Sequence, residues 1–168
     1  EPGSIQACWL GGIRHIRVEA DTEKARREFS RMTSLMEKPF AFPEPSRRAH
    51  LRSLILFAEN RHAGAFEAMA EAERKSPRDF FFFGRELARL LLEAGRTGEA
   101  ISKCLELSEF NPNDPELLMI LCRAKHLDGD SSSAKEYYER TLEVLAGADE
   151  DYLPLIEFRN DLETDLDI

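Results

Sequence analysis

The chain has 168 residues, enough for one domain with a sizeable core, and with 42% apolar and 33% charged residues it has a globular rather than a disordered profile. Its formal net charge of −9 argues against nonspecific binding to nucleic acid or anionic membranes, which needs clustered Lys and Arg. No apolar run approaches the roughly 20 residues of a membrane span, and Cys8, Cys104 and Cys122 are widely spaced without a CxxC pair, which argues against a disulfide framework or zinc site and fits a reducing, cytoplasmic setting.

In chain order, Glu1-Pro2-Gly3-Ser4 has no signal-peptide character and no starting Met, and reads as a cloning remnant on a domain cut from a longer protein. Trp9, Ile13 and Ile16 have helical spacing, but "IRHIRVE" alternates as a strand does and Gly11-Gly12 disfavours a helix, so residues 1–20 stay open between helix and strand. From about Thr22 to Glu37, Ala25, Phe29 and Met32 mark the apolar face of a helix. "KPFAFPEPS", with prolines at 39, 43 and 45, reads as an extended connector. Residues 1–45 are thus expected to form an irregular N-terminal region with at least one helix, a degenerate copy of the unit that follows.

From residue 46 one spacing governs the chain. Gly95 and Gly129 lie 34 apart, as do Ala100 and Ala134, Cys104 and Tyr138, and the pairs Leu87-Ala88 and Leu121-Cys122. Apolar residues recur three and four apart on both sides of each Gly, which predicts helix, tight turn, helix. The Gly residues supply the left-handed conformation that ends a first helix, and Asn60 serves the same end upstream, after a helix over roughly Arg47 to Glu59. Thr97 or Gly98, and Asp130 to Ser132, are suited to start the second helix. Ala65, Ala100 and Ala134 are small because two helices cross there.

This pattern resembles the tetratricopeptide repeat, W-x2-L-G-x2-Y, then A-x3-F, then P, over 34 residues. The chain has Gly84-x2-Leu87-Ala88-x2-Leu91, Ala100-x3-Cys104 and Pro112 in one copy. The next has Leu118-x2-Leu121-Cys122-x2-Lys125 and Ala134-x3-Tyr138, with Ala146 in the place of the closing Pro; upstream stand Ala65-x3-Met69 and Pro77. The resemblance implies an all-α α-solenoid of about three repeats (46–80, 81–114, 115–148), with an amphipathic C-terminal capping helix in 149–168. "SPRDFFFFGRELARLLLEAGRTGEAI" also resembles the helical repeats that follow the catalytic domain of some bacterial family 2 glycosyltransferases, which implies, as an alternative, an accessory or oligomerisation domain of a larger enzyme.

Motifs that carry chemistry are sparse. His15, His50, His62 and His126 make no HExxH or other metal-ligand spacing. "DGDSSS" begins like a calcium loop, but Ser133 stands where its sharp turn demands Gly. Gly95 and Gly98 lack the strand and Lys of a phosphate loop, and the cysteines lack basic neighbours that would activate a thiol. Neither metal nor cofactor is expected, nor catalysis within these residues.

What remains is a surface. In the repeat family, partners dock on the concave face formed by each unit's first helix, and that geometry selects Arg47, His50 and Leu54, then Phe82, Arg85 and Arg89, then Met119, Arg123 and His126. The Arg residues either stack into a basic stripe that clamps an acidic peptide or pair with neighbours such as Glu86 and Glu93. The family's chaperone-tail clamp uses Lys and Asn at these positions, where this chain has Arg and His. In "FFFF", Phe80 and Phe83 are expected in the core and Phe82 partly in the groove. The expected role is protein–protein interaction with another protein or an acidic peptide, without nucleic acid or membrane insertion, and with self-association through the terminal helices as a further possibility.

Overall fold

The computed structural model of the protein describes residues 4–39, 41, 44–149 and 152–162. Among these residues lie nine α-helices and no strand, and no helix long and apolar enough to cross a membrane. The chain divides into two compact units, Glu1–Leu87 and Ala88–Ile168, and the division falls inside the fifth helix. Residues 1–3, Pro43 of the connector, and residues 150, 151 and 163–168 of the expected capping segment lie outside the described residues.

The first unit holds α1 (Ile5–Arg17), α2 (Thr22–Met36), α3 (Pro45–Ala58), α4 (His62–Lys75) and the opening turns of α5 (Phe80–Glu93). Ser4 caps α1 by accepting a hydrogen bond from the Ala7 amide at 3.0 Å, and Asp21 caps α2 through the Lys24 amide at 2.9 Å. Pro45 opens α3, where its missing N–H costs nothing. The open choice between helix and strand at the N-terminus falls to helix over Ile5–Arg17, in spite of Gly11-Gly12. Trp9 and Ile16 on α1 and Phe29 on α2 pack with Ala25, Leu51 and Ile55, a burial that alternation alone does not reveal. A Cβ at Gly12 would stand 2.6 Å from the Leu51 methyl carbons, so glycine is what lets α1 lie this close to α3.

The second unit holds the end of α5, then α6 (Thr97–Ser108), α7 (Pro115–Leu127), α8 (Ser131–Val144) and α9 (Leu153–Leu162). Asp114 and Asp130 cap α7 and α8 through the Leu117 and Ser133 amides at 2.9 and 3.1 Å. The aspartate of the would-be calcium loop is therefore a helix cap. α6 does begin at Thr97, but the cap position is Arg96, whose side chain makes no cap bond and pairs with Glu99 instead.

One turn is used three times. Asn60, Gly95 and Gly129 have φ of 59°, 74° and 81°, and the amide of each bonds back three residues, to Phe57, Leu92 and His126. The next amide, of Arg61, Arg96 and Asp130, bonds back five residues to Leu56, Leu91 and Lys125, each at 2.9 Å. This double closure satisfies the last carbonyls of α3, α5 and α7, and it needs a residue that accepts the left-handed conformation. Asparagine and glycine are the two that do so readily.

The helical crossings repeat as well. Ala25, Ala65, Ala100 and Ala134 are fully buried, as are Met69 and Cys104, with Tyr138 nearly so. Twelve residues before two of these alanines, Ser53 Oγ donates to the Ala65 carbonyl at 2.7 Å and Cys122 Sγ donates to the Ala134 carbonyl at 3.2 Å. A larger side chain at either alanine would force these helices apart. α9 closes the second unit: Leu155, Phe158 and Leu162 bury against Met119, Cys122 and Tyr138, and the Phe158 ring stacks on Tyr138 with centroids 5.4 Å apart. The expected capping helix is in place.

Candidate functional site

The groove residues chosen by the repeat pattern fall into two environments. In the second unit, Arg89, Met119, Arg123 and His126 line one cleft of about 720 Å³, with walls from the end of α5, from α7 and from α9. α7 supplies one or two residues per turn: Glu116, then Met119 and Ile120, then Arg123, then His126 and Leu127. Leu92 and Glu93 come from α5, and Pro154, Glu157 and Leu162 from α9. Met119 and Ile120 form a buried apolar floor, while Leu127 stands 65% exposed at the rim. The Arg89 guanidinium donates to Glu116 at 2.9 Å, and the Arg123 guanidinium lies 5.7 Å from the Phe158 ring centroid. The charged walls are thereby held in place by other charges and by an aromatic face.

In the first unit, Arg47, His50, Leu54 and Phe82 do not line an open groove. His50 is 1% exposed and Leu54 is buried, which corrects their assignment to an accessible face. The cover is α1. Its Trp9 indole N–H donates to His50 Nδ1 at 3.1 Å, so the imidazole carries its N–H at Nε2, 3.8 Å from Glu86 Oε2. Phe82 packs edge-on to both Trp9 and His50, with centroids 6.5 and 5.5 Å away, so it is part of this cluster rather than a free anchor. Arg47 lies over the Trp9 ring at 4.8 Å and pairs with Glu44 at 2.7 Å. At the other end of α1, Arg17 donates to the buried Glu86 carboxylate at 2.9 Å. Arg85 sits half-buried on the same opening turns of α5. Of the other two phenylalanines, Phe83 is buried as expected, and Phe80 is half-buried against Phe81.

Two of the pairings reach beyond the nearest neighbours: Glu86 accepts from Arg17, and Arg89 donates to Glu116, 27 residues along the chain. Glu116, Ile120 and Leu127 were legible as the three-and-four-spaced neighbours of Met119 and Arg123. The α9 contributions were not, because sequence does not say on which face a capping helix lands.

The thiols are poorly suited to nucleophilic chemistry. Burial pushes Cys104 and Cys122 up to about 12, and burial followed by a hydrogen bond to Glu28 raises Cys8, so the thiolate form is scarce at neutral pH. Among the described residues no three His, Cys, Asp or Glu side chains converge as metal ligands would.

No protein-family model matches the chain, and no curated protein matches it. The resemblance to helices appended to glycosyltransferases therefore finds no support there. Among solved structures, one described as "MamA RS-1 ArsTM double mutant" matches with a TM-score of 0.61 at 13% identity, covering 97% of this chain and 88% of that one. That protein is a tetratricopeptide-type helical repeat protein, and this chain has the same all-α repeat fold. At such identity the likeness concerns the fold alone.

Proposed function

We propose that the chain is a non-catalytic protein-interaction module and that the cleft along α7 receives a segment of a partner protein. The carrying observation is the convergence of Arg89, Met119, Arg123 and His126 on one concave, partly apolar site. Its volume suits a few side chains of a docked segment rather than a whole domain. The buried floor at Met119 and Ile120 offers an anchor pocket, and the fixed charges around it give register.

A library of random peptides displayed against the full chain tests this reading. Enriched peptides should bind the native protein and lose binding to a variant carrying the charge-neutral changes His126→Asn and Leu127→Asn, while the chain stays folded and helical. Peptides that bind both proteins equally would place docking elsewhere.

A further inference from the structure

The cleft is more acidic than the arginine spacing suggests. Its lining has Arg89, Arg123 and His126 against Glu93, Glu116 and Glu157, and Glu116 already holds Arg89. With histidine neutral, two positive charges face three negative ones. Glu93 and Glu157 are exposed on opposite walls, α5 and α9, and Glu157 makes no hydrogen bond or ion pair among the described residues. The surrounding unit strengthens the bias: residues 88–168 hold eight Lys and Arg and nineteen Asp and Glu, a balance of −11. Residues 1–87 hold fifteen and thirteen, a balance of +2, which with −11 gives the −9 of the chain. The acidity therefore belongs to the unit that carries the cleft.

Resting on the reading of this cleft as a docking site, we infer that its occupant is a basic segment with an apolar anchor: one or two large aliphatic side chains over Met119 and Ile120, flanked by Lys or Arg that meet Glu93 and Glu157. An acidic segment would meet a field of its own sign. It would also compete with Glu116, which already holds Arg89. A basic segment keeps that pair intact and meets the exposed Glu157 carboxylate within a lining that is negative on balance. Attraction by the whole unit also speeds encounter, and salt weakens it.

The composition of the peptides enriched from the random library decides the point. Lys and Arg should be enriched beside Leu, Ile or Met. Affinity of the best peptide should fall as sodium chloride rises from 50 to about 300 mM, and Glu93→Lys with Glu157→Lys should weaken it about tenfold or more at low salt. Enrichment of Asp and Glu, or affinity that the double charge reversal leaves unchanged or improves, would overturn the basic-segment assignment while leaving the cleft a docking site. If no enriched peptide depends on His126 and Leu127, the docking reading falls and this assignment falls with it.

Discussion

The two units are built from the same helical hairpin and the same turn, but they dispose of the groove-forming helix in opposite ways. In residues 1–87 the chain fills that face itself: α1 lays Trp9 on His50 and Phe82 and ties Arg17 to Glu86. In residues 88–168 the corresponding face of α7 stays open as a cleft, walled by the end of α5 and by α9 and floored by Met119 and Ile120. Repeat packing fixes where side chains point, and neighbouring helices decide whether they meet protein or solvent. A repeat signature therefore identifies the fold more readily than the site.

The largest test of this contrast is removal of the cap. Phe158 is fully buried between α9 and the α7–α8 hairpin, so Phe158→Ala should cost about 3–5 kcal/mol by thermal or urea unfolding and weaken peptide binding as the α9 wall loosens. Next comes the seal of the first unit. Arg17→Met removes the guanidinium that donates to the buried Glu86 carboxylate and should cost about 1–3 kcal/mol, part of it recovered when Glu86→Gln is added. A double variant no more stable than the single would show that the pair is not what seals the face.

The glycines of α1 provide a smaller and sharper pair. Gly12→Ala puts a Cβ 2.6 Å from buried Leu51 and should destabilise by about 1–3 kcal/mol, outweighing the helix-propensity gain. Gly11→Ala meets only Glu28 side-chain carbons at 3.6 Å and should stabilise by about 0.5–1 kcal/mol. Equal effects at both positions would contradict the close approach of α1 to α3. The smallest expected change is Leu127→Asn, where a rim residue 65% exposed should leave stability within about 0.5 kcal/mol of native while weakening docking. Alkaline titration probes the core of the second unit, because the buried thiols of Cys104 and Cys122 have folded values raised from 9.0 to about 12. Their contribution to stability is full below about pH 9 and is lost as pH rises toward 12, so the unfolding free energy should fall across that window.

The hairpins were legible because period, turn residue and small crossing residue all agreed: Asn60, Gly95 and Gly129 take the same turn, and Ala65, Ala100 and Ala134 are all buried. Periodicity alone did not decide the N-terminus. Gly11-Gly12 reads as helix-breaking until Leu51, 39 residues beyond Gly12, supplies the contact that requires a glycine there. The same limit applied to the groove. Transferring the family's geometry placed both His50 and Arg123 in the groove, yet α1 buries the first and α9 sets Phe158 beside the second. Burial by a distant helix is a tertiary fact, and no local pattern around either residue encodes it.

The most direct test is to map a library-selected peptide by amide hydrogen exchange on the full chain. Docking in the cleft predicts added protection in α7, α9 and the last turn of α5, with α1 and α3 unchanged. Protection centred on α1 and α3, or spread over neither region, would contradict a docking face that is closed in the first unit and open in the second.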